Sequence, residues 1–224
     1  MIRVVVLVSG SGRVLQALLD AFLPAPAGRA PETGRAVIAA VISNTPDAYA
    51  VERARHRGIP VIVVPHRGRS REAFEADLAA AIEPYHPDLI CLAGFLRILS
   101  SAFVRRYPYR ILNTHPALLP AFGGKGMYGE RVHQAVLEAG LAVSGCTIHV
   151  VDEVPDGGPI VAQTVIPVVD GDTPESLAER IQAEERRLYA EVIRWWADGR
   201  IEVRDRAVMV RPMRPAVPTD AIPV

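Results

Sequence analysis

Lysine is nearly missing from this chain: Lys125 is the single lysine among 25 Lys and Arg residues. Asp and Glu, also 25 in number, bring the formal net charge to zero. Such a balance lacks the basic footprint of a nucleic-acid binder or a membrane-surface protein. Cysteine is as scarce. Cys91 and Cys146 each sit among apolar or small neighbours, which argues against a disulfide framework or a thiolate metal site and for two buried core thiols. No H-x-x-x-H, H-E-x-x-H or C-x-x-C spacing occurs, so no metal is expected. No apolar run approaches the roughly 18 residues that span a bilayer. Residues 4–8 form only a short apolar start that ends in Ser9-Gly10-Ser11-Gly12, unlike a signal peptide. These absences leave a cytoplasmic protein with small-molecule partners, no nucleic acid and no membrane.

What is abundant is core material, at 50% hydrophobic residues in 224. That length favours one domain, or at most two. β-branched apolar runs at residues 3–8, 36–42, 61–64, 88–92 and 110–112 read as buried strands. Between them, residues 13–22, 47–57 and 71–82 carry apolar side chains at three- and four-residue spacing with charges opposite, the pattern of amphipathic helices. Strand and helix in alternation imply right-handed βαβ crossovers. The fold class is therefore α/β, Rossmann-like, a mostly parallel sheet with helices on both faces. Further on come a helix at 130–139, strands at 144–151 and 158–168 that suit a hairpin, and a helix at 174–197 capped by Thr173 or Asp172. Residues 211–224 carry Pro212, Pro215, Pro218 and Pro223 and read as a surface-draped tail.

Two segments carry chemistry. Asn113-Thr114-His115-Pro116 follows a short strand, and alternation puts Asn113 and His115 on one side. Pro116 and Pro120 then constrain the loop into which that strand runs. Asp156-Gly157-Gly158-Pro159 would alone be an ordinary turn; together with the first motif it supplies a carboxylate. Ser9-Gly10-Ser11-Gly12 links the first strand to the first helix, where backbone N–H groups suit a phosphate and Arg13 adds charge. As a dinucleotide fingerprint it is incomplete, with Leu15 at the third glycine position and no acidic residue ending the second strand. The alternative for that turn is glycine needed for geometry alone. Lys125 lies in the glycine-rich stretch 122–129, where a solvated loop lysine is the plain reading. His56, His66 and His86 read as surface residues, His133 lies on an amphipathic helix, and His149, on an apolar strand, reads as a structural residue. No serine or cysteine is flanked as a nucleophile, so the attacking group belongs to a substrate.

Assembled in order, these pieces resemble the folate-dependent phosphoribosylglycinamide formyltransferases from about residue 2 to residue 202. Ala93-Gly94-Phe95-Leu96-Arg97-Ile98-Leu99-Ser100, the run 145–152 and Gln182-Ala183-Glu184-Glu185 extend the likeness. The resemblance implies 10-formyltetrahydrofolate as co-substrate, an acceptor amine on a ribose 5-phosphate, and no metal. It implies Asn113, His115 and Asp156 as the catalytic trio. It places the acceptor, glycinamide ribonucleotide, at Ser11, Gly12, Arg13, Val14 and Glu185. The folate falls to Arg71, Leu96, Arg97, Ile98, Leu99, Val151, Asp152 and Asp156. Residues 1–202 become the catalytic domain and 203–224 an extension, with a homodimer as the assembly to test. One departure stands out: the family reads G-x-G-S-N where this chain has Gly10-Ser11-Gly12-Arg13-Val14, so the usual asparagine side chain is lost. Three rivals stay open. A 10-formyltetrahydrofolate hydrolase normally carries a regulatory domain ahead of the strand that here begins at Arg3. A methionyl-tRNA formyltransferase needs an RNA-binding domain and a basic surface. A noncatalytic nucleotide-binding module needs none of Asn113, His115 and Asp156.

Overall fold

The computed structural model describes residues 1–23 and 35–212; the expected proline-rich tail from 213 onward lies outside the described residues. Seven strands form one sheet: β1 (Ile2–Val8), β2 (Ala36–Ser43), β3 (Val61–Val63), β4 (Leu89–Leu92), β5 (Ile111–His115), β6 (Val143–Val150) and β7 (Ile160–Pro167), in the order β3-β2-β1-β4-β5-β6-β7. Neighbouring pairs among β1 to β5 are parallel, while β5 to β6 and β6 to β7 are antiparallel. The expected late hairpin is therefore β6–β7.

Period-two alternation on β1 explains the three layers. Val4, Val6 and Val8 enter one core, shared with α1 (Arg13–Phe22), α2 (Tyr49–His56), α5 (Glu130–Glu138) and α6 (Pro174–Ala197). Val5 and Leu7 enter the other, with α3 (Arg71–Ile82) and α4 (Ser101–Arg106). Both faces of β1 are fully buried from Val4 to Val8, as a central parallel strand requires. Cys91 and Cys146 are buried too, and burial pushes each thiol up to about 12.

The helix ends follow local chemistry. Ser70 caps α3 by accepting from Ala73 N–H, and Thr173 closes a capping box with Ser176 on α6. Tyr189, fully buried on α6, donates its hydroxyl to Leu112 O at 2.9 Å. The longest helix is thereby fastened to β5 beside Asn113.

Three differences from the sequence reading matter. β5 runs on through His115 rather than ending near residue 112. Ser101–Arg106 is a helix that six residues of sequence are too short to announce by periodicity. Residues 203–210, assigned to an extension, complete a second small sheet in which β8 (Ile201–Arg204) pairs with β9 (Ala207–Val210).

Candidate active site

The carboxyl ends of the parallel strands open into a cavity of about 560 Å³, where α/β sheets of this kind place their ligands. β5 delivers Asn113 and His115, and β6 delivers His149, whose Cα is paired with that of Asn113 across the antiparallel ladder. The loop after β6 returns Asp156 to the same spot. His115 Nδ1 lies 3.6 Å from Asp156 Oδ2, and His149 Nε2 lies 3.6 Å from Asp156 Oδ1. One carboxylate thus faces two imidazoles.

Hydrogen bonds set the tautomers. His115 Nε2 is 2.8 Å from the carbonyl of Phe122, and a carbonyl only accepts, so Nε2 carries the hydrogen and Nδ1 is the atom that titrates. His149 Nδ1 donates to Val150 O at 3.1 Å, which leaves Nε2 to accept from Asn113 Nδ2 at 3.2 Å. The second hydrogen of the Asn113 amide remains available to the cavity. Asp156 Oδ2 also accepts from Gly124 N–H at 2.9 Å. Phe122 and Asp156 both adopt left-handed backbone, at φ 54° and 55°, a conformation uncommon outside glycine. Strain is stored at the two residues that orient His115.

Burial lowers the pKa of His115 below the ordinary histidine value, outweighing the opposing pull of Asp156 and of the Phe122 carbonyl. The neighbouring carboxylate favours the charged form of His115, but desolvation wins. Burial pushes Asp156 up, but the His149 contact, the Gly124 N–H and His115 together bring it below the usual carboxylate range. The free site therefore holds neutral imidazole beside carboxylate. Glu185, on α6, lines the cavity, and burial raises its pKa against the Thr114 hydroxyl.

Leu96, Arg97, Ile98, Leu99, Val151, Asp152, Val14 and Lys125 also line the cavity. Four residues expected at the site do not. Gly12 begins α1 at φ 70°, and a Cβ there would fall 2.7 Å from that of Ala50, so its glycine is required by geometry. Ser11 gives its carbonyl to Arg53 Nε at 2.9 Å. Arg13 reaches Gln182 at 3.1 Å and borders a smaller neighbouring groove with Gln16, Arg53 and Arg186. Arg71 stands exposed on the first turn of α3, away from the cavity.

The sequence reading missed His149. It touches Asp156 and Asn113, and its alternation opposite Ile148 and Val150 was the available signal. His66 is half-buried beside Asn44 rather than free on the surface. His133 is buried on α5, its Nδ1 has no hydrogen-bond partner among the described residues, and burial with nearby His115 lowers its pKa. A histidine whose pKa falls on folding binds fewer protons folded than unfolded, so stability drops as pH falls through the unfolded value. His133→Leu is expected to shrink the loss of Tm between about pH 7.5 and pH 5.5; an unchanged loss in thermal melts would show that His133 does not contribute.

A model of the formyl transferase family matches residues 2–193. Phosphoribosylglycinamide formyltransferase of Escherichia coli (strain K12) is 39% identical over 206 residues, covering 92% of this chain and 92% of that protein. The chloroplastic phosphoribosylglycinamide formyltransferase of Arabidopsis thaliana is 45% identical over 75% of this chain and 58% of its own length. Among solved structures, glycinamide ribonucleotide transformylase 1 of Symbiobacterium toebii superposes with a TM-score of 0.84 at 44% identity, covering 95% of each chain. A formyltetrahydrofolate deformylase of Pseudomonas syringae pv. tomato reaches 0.79 at 25% identity, over 94% of this chain and 66% of that one. With a family match across most of the sequence and a bacterial relative aligned over nearly its whole length, the chain belongs to the formyl transferase family.

Proposed function

We propose that this protein transfers the formyl group of 10-formyltetrahydrofolate to the amine of glycinamide ribonucleotide, giving N-formylglycinamide ribonucleotide and tetrahydrofolate. The observation that carries this reading is the convergence of Asn113, His115 and Asp156 in a cavity that no serine or cysteine among the described residues lines. His115 has a carbonyl and a carboxylate as neighbours, not a hydroxyl or thiol, so the nucleophile comes with a substrate. As the amine attacks the formyl carbon, the carbonyl oxygen gains negative charge and the nitrogen becomes acidic. Neutral His115 takes that proton on Nδ1, and the resulting imidazolium lies between Asp156 and the oxyanion. The Asn113 amide donates its second hydrogen to the same oxygen. The oxyanion then collapses to a carbonyl, the bond from carbon to N10 breaks, and N10 takes the proton back from His115 Nδ1 as it leaves.

The apolar side chains of Leu96, Ile98 and Val151, with Arg97 and Asp152, suit a flat heterocycle with a polar rim. Arg71 belongs with the folate only through the carboxylate-bearing end of that ligand, since it stands apart from the cavity. Glu185 suits the acceptor's polar groups at the other end, beside Val14. The acceptor phosphate goes to the turn formed by Ser11, Gly12 and Arg13, where the charge of the arginine makes up for the missing asparagine amide. Arg13→Glu is expected to raise KM for glycinamide ribonucleotide by roughly tenfold with kcat nearly unchanged; an unaltered KM would remove Arg13 from the phosphate site. The reaction itself is tested by following 10-formyltetrahydrofolate absorbance with and without the acceptor. Turnover that requires the acceptor is the expected result, and equal turnover without it would make the protein a hydrolase.

A further inference from the structure

The cavity wall from Phe95 to Leu99 has no regular secondary structure, so its backbone groups need partners from elsewhere. Phe95 and Leu99 bury themselves in the second core, while Leu96 and Ile98 stand 64% and 46% exposed toward the cavity. Side chains hold both ends of this wall. At one end Leu96 N–H donates to Ser9 Oγ at 2.8 Å, from the turn that precedes α1. At the other, Glu75 of α3 takes up the whole of Ser100. Its Oε1 accepts Ser100 N–H at 2.7 Å, and its Oε2 accepts the Ser100 hydroxyl. That same hydroxyl oxygen caps α4 by accepting from Phe103 N–H at 3.2 Å.

Glu75 is 7% exposed, and a carboxylate is rarely buried unless it is paired or fully hydrogen-bonded. Both of its side-chain hydrogen bonds go to Ser100, a neutral residue with no chemistry of its own. The carboxylate lines neither groove, so direct contact with the acceptor or the reacting atoms is not its task. Its effect falls on the wall that ends at Ser100. Arg71 lies one helical turn before Glu75 on α3, so the same bond sets where that arginine stands relative to the wall.

We propose that Glu75 is a positioning residue for the folate: it locks the far end of the 95–99 wall and thereby fixes the spacing of Leu96 and Ile98 against the ring. This rests on the reading of the cavity as the folate site. Losing the carboxylate frees Ser100 N–H and hydroxyl in a largely apolar setting, and the wall relaxes to satisfy them. The relaxation weakens the folate and leaves the acceptor end, held by β1, α1 and α6, in place.

The experiment measures tetrahydrofolate binding by titration calorimetry, and KM for each substrate, in the wild type, Glu75→Ala and Glu75→Gln. Glu75→Ala is expected to weaken tetrahydrofolate by about tenfold, with KM for glycinamide ribonucleotide within about twofold. Glu75→Gln keeps one carbonyl oxygen for Ser100 N–H and is expected to recover most of that loss. Equal weakening of both substrates, or a glutamine no better than alanine, overturns the proposal as mere structural damage. Unchanged tetrahydrofolate affinity in Glu75→Ala overturns it outright. Should Glu75→Ala fail to fold by circular dichroism, Ser100→Ala decides by the same comparison, since it removes one of the two bonds. A wild type that binds no tetrahydrofolate instead defeats the folate reading itself, a failure distinct from any difference among the variants.

Discussion

Asp156→Asn is expected to lower kcat by about 10²–10⁴-fold, and His115→Ala by a similar factor. The double variant is expected to be scarcely worse than the poorer single one. In the proposed mechanism the carboxylate supports an imidazolium 3.6 Å away, in a site where burial alone disfavours positive charge. Without His115 there is no imidazolium for Asp156 to support, so its removal then costs little. Strictly multiplicative losses would mean that the two groups act independently and would defeat the paired role. The pH profile offers a second test. Asp156 raises the pKa of His115, so Asp156→Asn lowers it further, and the acid limb of kcat/KM moves to lower pH. A limb that moves upward contradicts the assignment of His115 as the base. Asp156 itself lies below the usual carboxylate range and stays ionised across that limb.

Much of this arrangement is legible locally. α1, α3 and α6 begin and end where periodicity and flanking residues predict, because their apolar stripes are long and Ser70 and Thr173 cap the second and third. Asn113 and His115 share a face by alternation alone. The part that resisted reading is set by contacts between distant segments. His149 reaches the site through its pairing with Asn113, 36 positions away; local alternation shows which face it takes but not that register. Likewise Glu75 looks like any helix carboxylate until the fold brings Ser100 against it. The β8–β9 hairpin is a different case. Ile201-Glu202-Val203 alternates, and Asp205-Arg206 supplies a turn, but four-residue strands are weak signals beside an expected tail.

Electrostatics resisted for a related reason. A carboxylate beside a histidine predicts a raised pKa only if both remain hydrated, and burial of the pair is a property of the whole cavity wall. Sequence names the partners, whereas the sign of the shift depends on how much water the fold removes.

Asn113→Ala is expected to lower kcat by about 10²–10³-fold, the usual effect of removing one donor from an oxyanion site, with KM for either substrate little changed. One amide hydrogen is already committed to His149 Nε2, which holds the side chain in a single orientation, so the other meets the developing charge without reorganisation. A ground-state formyl oxygen is a weaker acceptor than an oxyanion, and the loss therefore falls on kcat rather than on binding. Asn113→Asp is expected to do more damage than alanine: it keeps the shape but sets a second carboxylate near Asp156 and opposite the nascent negative oxygen. If aspartate kept near wild-type activity, the amide would be acting through its shape; if alanine raised KM and spared kcat, it would be holding substrate in the ground state. Either outcome would move oxyanion stabilisation wholly onto His115, whose charge exists only after the proton has moved. The amide hydrogen is ready beforehand, which is why its removal is predicted to slow the attack itself.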